Sequence, residues 1–190
     1  VKEGGYIMAD YVVRDLNGKI TNYTDKQTAK QLGAYDTTAY YGPKVLTTIK
    51  NTIQAGLADA LVGMKEGGRK KIIIPSWLMT YKSYDTPEEY IENASSGVDA
   101  IYDITVRTFV DSIYNYEIDC VGKYFAENSD VFGNMTAADS TDVYGFYYKQ
   151  LVEPTDTASF PKDTSIYINY TGKLLNGLVF DTTIEKVAKD

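Results

Sequence analysis

The 190-residue chain contains no histidine, a single cysteine and only five prolines. Without histidine, Ser-His-Asp and Cys-His nucleophilic arrangements are excluded, as is any zinc site that draws on imidazole; one cysteine cannot replace it. Cys120, standing alone, forms no internal disulfide. There is no Gly-x-Gly-x-x-Gly and no Walker loop, so no nucleotide or other cofactor fingerprint is present. Basic residues are outnumbered, 19 Lys and Arg against 26 Asp and Glu, for a net charge of -7. That balance argues against nucleic acid, whose binding depends on cations neutralising phosphates, and the run Arg69-Lys70-Lys71 reads as a solvated strand start. No apolar run approaches the length of a membrane span. Any chemistry must proceed without the common acid-base or metal machinery.

What the chain has in abundance is tyrosine, 18 residues, and a pattern that occurs twice. From Ile166 to Asp181 apolar and polar residues roughly alternate around Asn176-Gly177, a pair able to take φ > 0, which predicts a β-hairpin. A weaker copy runs from Tyr6 through Leu16-Asn17-Gly18 to Asn22. Superposing the two matches Tyr11 with Tyr170, Leu16 with Leu175, Asn17 with Asn176, Gly18 with Gly177, Thr24 with Thr183, Ala29 with Ala188 and Lys30 with Lys189. The tyrosines themselves read as strand and partly buried core residues.

Taken in order, Tyr23 to Leu32 predicts a short helix ending at Gly33, and a strand is expected near Val45 to Ile49. Leu57, Ala60, Leu61 and Met64 recur at helical spacing from Ala55, with Gly67-Gly68 expected to stop the helix. Ile72-Ile73-Ile74 suits a buried strand. Thr86-Pro87-Glu88-Glu89 has the form of a capping box opening a helix. Val98 to Phe109 alternates, with Ala100, Tyr102, Ile104 and Val106 on one face. Ser112 to Asn128 predicts an amphipathic connector helix in which Cys120 serves as a small packed hydrophobe. Ser129 to Ser140 reads as linker, and Val143 to Leu151 as the first strand of a second domain.

Tyr170-Thr171-Gly172-Lys173-Leu174-Leu175-Asn176-Gly177-Leu178-Val179-Phe180-Asp181 closely resembles the Y-T-G-x-L-x-(D/N)-G-x-x-F-D signature of FKBP-type peptidyl-prolyl cis-trans isomerases. Ala55 to Gly67 followed by Ile72-Ile73-Ile74-Pro75 is similar to that family's second signature, with Leu57 in place of its Trp. The resemblance implies an α+β fold, an antiparallel sheet of about five strands curved over a short helix. It divides the chain into a first domain over 1–111, a connector helix and linker over 112–142, and the opening part of a second domain over 143–190. An isolated hairpin is marginal. The expectation is therefore that the chain, which opens without an initiator Met, is part of a longer protein, or that these strands borrow a surface.

Carried over residue by residue, the resemblance makes Tyr170, Phe180 and Asp181 the catalytic group of the second domain, with Asp181 as hydrogen-bond partner near the imide. In the first domain the matching peptide-binding positions are Tyr11, Thr21, Asn22, Leu57 and Tyr102, with Ile53 beside the helix start and Thr80 or Tyr81 near the family's loop tyrosine. Thr21 and Asn22 stand where the family has Phe and Asp, which makes this pocket degenerate. The implied partners are proline-containing peptides or unfolded proteins, with no cofactor. Two functions follow: a prolyl isomerase and folding helper whose catalysis lies in the second domain, or a non-catalytic peptide-binding module that has kept the fold. Tandem FKBP proteins with a connecting helix resemble bacterial envelope lipoproteins, which suggests the cell envelope or periplasm.

Overall fold

The computed structural model describes residues 1–93, 98–136, 146–156 and 159–189. The chain divides into two units, Val1–Ile113 and Tyr114–Asp190.

In the first unit, apolar residues at every second position turn one strand face inward. β1 (Tyr6–Arg14) buries Ile7, Ala9 and Val13 and pairs over its full length with β5 (Ala100–Val110), from Tyr6↔Val110 to Arg14↔Ile101. On β5 the buried set is Ala100, Tyr102, Ile104, Val106 and Val110, the face that the alternation predicts. The other edge of β1 is shared. β2 (Ile20–Tyr23) takes Val12 to Arg14, and β3 (Lys44–Thr47) takes Tyr6 to Ala9. β4 (Arg69–Ile74) pairs with β5 on its far side, completing five antiparallel strands. The expected α+β architecture is therefore present.

The segment between β2 and β3 holds α1 (Lys26–Gln31), started by Asp25, whose Oδ1 accepts the Thr28 N–H at 2.8 Å, and stopped by Gly33 at φ 67°. α2 (Ala55–Leu61) covers the sheet, burying Leu57 and Leu61 with Met64 against Ile7, Val13, Ile74, Tyr102, Ile104 and Val106. So close an approach requires Gly56. A Cβ there would lie 2.7 Å from Ile74 Cγ2 and 2.9 Å from Leu78 Cβ. After β4 come a single 3₁₀ turn, Ser76–Leu78, and α3 (Pro87–Asn93). Thr86 Oγ1 accepts the Glu89 N–H at 3.2 Å, but the Glu89 carboxylate returns to the N–H of Asp85 rather than to that of Thr86.

Two local expectations are corrected. α2 stops at Leu61, before Gly67-Gly68, because Val62 is already extended and Gly63 takes φ 80° while donating its N–H to the Val1 carbonyl. Gly67 instead turns the chain into β4, its N–H bonded to the Val106 carbonyl. Nor is Ile72-Ile73-Ile74 a buried run. β4 is an edge strand with one covered face, so Ile74 is buried, Ile72 half-buried and Ile73 67% exposed.

In the second unit, α4 (Ile113–Glu127) buries Phe125, which packs on Phe132 at 5.0 Å and Tyr147 at 5.3 Å between ring centroids. Cys120 is half-buried on the same helix. α5 (Ser129–Phe132) occupies part of the expected linker, held by Phe132 against Tyr124 and Phe125. Of the expected strand Val143 to Leu151, residues 143–145 lie outside the described residues and 146–151 form no strand. A ladder needs a neighbouring strand, and among the described residues the strands form a five-stranded and a two-stranded sheet that do not include this segment.

The hairpin follows: β6 (Thr171–Lys173), β7 (Val179–Thr182) and a one-turn α6 (Glu185–Ala188). Its register, Thr171↔Thr182, Gly172↔Asp181 and Lys173↔Val179, reproduces Val12↔Tyr23, Val13↔Asn22 and Arg14↔Ile20, including the shift at the last pair. The turns also agree. Gly18 donates to the Asp15 carbonyl and Gly177 to that of Leu174, with φ of 83° and 84°.

Candidate functional site

The edge of β1 shared by β2 and β3 leaves a gap, and a cavity of about 260 Å³ opens there. Tyr11 from β1 and Tyr102 from β5 form one wall, their rings tilted at 54° with centroids 6.3 Å apart. Ile53 and Leu57, at the start of the covering helix, supply the apolar side. Tyr81 closes a third side, its hydroxyl accepting from Gln54 Nε2 at 3.2 Å. The rim is fixed by two further bonds, Ala55 N–H to the Thr80 carbonyl at 2.8 Å and Ser83 N–H to Asn51 Oδ1 at 2.9 Å.

Burial pushes the Tyr11 phenol above its ordinary range. Tyr102 is raised first by burial and then by the neighbouring phenols of Tyr11 and Tyr81. Both are therefore protonated donors at neutral pH. Among the described residues neither hydroxyl has a hydrogen-bond partner, so the cavity offers two unengaged O–H groups beside an apolar surface. No group of three or more His, Cys, Asp or Glu is placed to hold a metal among the described residues.

Of the first-domain positions, the cavity brings together Tyr11, Asn22, Ile53, Leu57 and Tyr102. Of the two loop candidates it is Tyr81 that lines it, while Thr80 spends its carbonyl on the rim. Thr21 stands apart, in an adjoining cleft with Val13 and Met79, its hydroxyl donating to the Val13 carbonyl at 3.4 Å. Asn22 lines both spaces, and its Oδ1 accepts the N–H of Tyr23 at 2.8 Å. Sequence reasoning missed Val45, Leu46 and Thr47 of β3, together with Thr52 and Gln54. The strand was recognisable, but its pairing beside β2 on the same edge is a long-range choice with no local signal.

The second-unit group is arranged differently. The Tyr170 hydroxyl donates to Asp181 Oδ2, and that bond, with the nearby carboxylate charge, raises the phenol. Phe180 lies over Gly172, where a Cβ would stand 2.7 Å from its Cζ, which explains the glycine in Tyr-Thr-Gly. In the first unit the matching pair is Val13 and Thr21, large and small exchanged. All three residues sit on the open hairpin, with Phe180 51% exposed.

A crystal structure described as a peptidyl-prolyl cis-trans isomerase from Pseudomonas syringae pv. tomato str. DC3000 is similar over 57% of this chain and 66% of that one, at 17% identity and a TM-score of 0.37. No curated protein sequence matches. The family model described as FKBP-type peptidyl-prolyl cis-trans isomerase matches residues 2–107, a stretch holding all five strands but the end of β5 and every residue that lines the tyrosine cavity. With more than half of its length in that match, the chain belongs to the FKBP-type peptidyl-prolyl cis-trans isomerase family.

Proposed function

We propose that the first unit binds proline-containing peptide segments in the Tyr11–Tyr102 cavity and isomerises them weakly, if at all. The observation that carries this reading is the pair of unengaged phenols beside the Ile53 and Leu57 surface. Rotation about an X–Pro bond crosses a barrier of roughly 18–20 kcal/mol because the twisted imide loses resonance. It needs neither a proton nor a nucleophile, so a chain without histidine can perform it. A pocket that excludes water favours the twisted, less solvated imide, and the phenols supply hydrogen bonds to the flanking carbonyls. The first unit carries Asn22 in place of a carboxylate and lacks an aromatic wall at Thr21. Both differences weaken stabilisation of the twisted state more than binding.

The β6–β7 hairpin is, in this reading, the opening of a second domain of the same family. Tyr170, Phe180 and Asp181 would form its catalytic pocket, supported by the shared register and turn and by the Tyr170–Asp181 bond. The whole protein would then be a tandem prolyl isomerase and folding helper of the bacterial cell envelope. Envelope placement rests on the likeness to tandem proteins with a connecting helix.

The test is cis–trans exchange and binding of a neutral proline-containing tetrapeptide, measured by NMR on the chain and on its Tyr81→Ala variant. Binding by the chain, weakened roughly three- to tenfold in Tyr81→Ala by loss of one cavity side, is expected. Binding indifferent to Tyr81 would remove the assignment.

A further inference from the structure

A second and larger concavity lies across Ile53 from the tyrosine cavity. It measures about 540 Å³, against about 260 Å³ for its neighbour, and falls in the size range of ligand sites. One wall is aromatic. Trp77, from the 3₁₀ turn, stands 6.2 Å from Tyr90 of α3, and Tyr84 meets Tyr90 edge-on at 5.1 Å, all three only half-buried. Asp59 of α2 also lines the space, and the loop before α3 adds Asp85. Glu3 and Lys50 also line the space, paired with each other at 3.3 Å. Three carboxylates thus face one ammonium. Among the described residues neither Asp59 nor Asp85 has an ion-pair or hydrogen-bond partner for its carboxylate.

We infer that this groove binds an extended peptide segment bearing arginine or lysine. A guanidinium or ammonium gains from aromatic faces and from carboxylates together, because the ring quadrupole and the negative charge attract it in the same direction. The protein already shows the preference locally, since the Lys82 ammonium rests 4.8 Å from the centroid of Tyr84. Trp77 and Tyr90 hold no such cation among the described residues and are the faces left for a ligand. α3 adds Glu88, Glu89 and Glu92 to the surrounding potential, and the chain as a whole is acidic. The walls are too acidic for an anionic ligand. They are also too charged for a purely apolar segment, which would bury Asp59 and Asp85 without compensation.

Trp77 is the only tryptophan in the sequence, so its emission reports on this groove alone. The chain is titrated with an Arg-Gly-Arg-Gly peptide and, separately, with Glu-Gly-Glu-Gly and Ala-Gly-Ala-Gly, at 50 mM and 300 mM salt. Saturable change with the arginine peptide only is expected, weaker at high salt. Loss of roughly two- to fivefold in affinity should follow Asp59→Asn or Asp85→Asn alone, and more in the double variant. Both positions are exposed, so folding is not at stake. No response to the arginine peptide, an equal response to all three, or affinity unmoved in the double variant would each overturn the assignment. Because none of the probes contains proline, the result stands whether or not the tyrosine cavity binds prolyl peptides. A concentration-dependent change in Trp77 emission without peptide would identify a second copy of the chain as occupant, and would overturn it also.

Discussion

The two hairpins, β1–β2 and β6–β7, share register, turn geometry and even the bond that follows them. Thr24 N–H reaches the Tyr11 carbonyl and Thr183 N–H reaches that of Tyr170, each at 3.0 Å, while each threonine hydroxyl accepts the same tyrosine's N–H, again at 3.0 Å. They differ in what covers them. The first is continued by β5, β3 and α2, so Thr24 is 1% exposed and Tyr11 lines a cavity; the second leaves Thr183, Phe180 and Tyr170 open. Local sequence therefore determines the hairpin, and its neighbours determine whether the same positions become a pocket. At the positions that match Phe180 and Asp181, the first hairpin carries Thr21 and Asn22.

The largest effect should come from the cover itself. Ile104→Ala removes a fully buried side chain on β5, the strand beside β1, and should cost about 2–5 kcal/mol in urea unfolding, whereas Phe180→Ala on the open hairpin should cost under about 1 kcal/mol. Equal losses would erase the distinction. Next is the shared threonine. Thr24→Val leaves the Tyr11 N–H without its acceptor in a buried setting, an expected loss of about 1–3 kcal/mol, against roughly 0.5 kcal/mol or less for Thr183→Val.

A third prediction concerns the exchanged pair. Phe180 occupies the space above Gly172, so an aromatic at 21 needs that space above residue 13. Thr21→Phe alone should then fail to create an aromatic wall, while Val13→Gly with Thr21→Phe and Asn22→Asp should raise X–Pro exchange by about tenfold. The single variant performing as well as the triple would refute the steric argument.

The smallest effect is at the helix that follows each hairpin. Asp25 caps α1, but the matching Ile184 gives α6 no side-chain cap. Asp25→Ala should cost about 0.5–2 kcal/mol, and Ile184→Asp should increase helicity near α6. Burial by itself would raise the Asp25 carboxyl, yet bonds from the Thr28 hydroxyl and from the Thr28 and Gln27 N–H groups hold it below the ordinary range. Its folded value thus lies below its unfolded one. The contribution is complete above the unfolded value near about 4 and disappears as pH falls through the folded one. An acid titration of stability should show this fading in wild type and not in Asp25→Ala.

Much of the first unit was legible because its signals are local: alternation along β5, Asn-Gly turns, the helical spacing from Ala55. Ile72 to Ile74 do not form a buried run because burial depends on whether one or both faces of the sheet are covered, which three isoleucines cannot encode. The missed part of the site, Val45 to Thr47, depends on two strands sharing one edge of β1. Thr21 takes the place of Phe180 when the two hairpins are matched, yet its small side chain turns to the Val13 carbonyl instead of the cavity. Phe146 to Leu151 has strand composition, but among the described residues neither sheet includes it.

The most direct measurement is a titration of the chain with a neutral proline-containing tetrapeptide, following tyrosine ring resonances and X–Pro exchange in one NMR experiment. Saturable shifts at Tyr11, Tyr81 and Tyr102, an unchanged Tyr170, and exchange accelerated less than about tenfold are expected. Shifts confined to Tyr170, or strong acceleration with Thr21 and Asn22 in place, would contradict it.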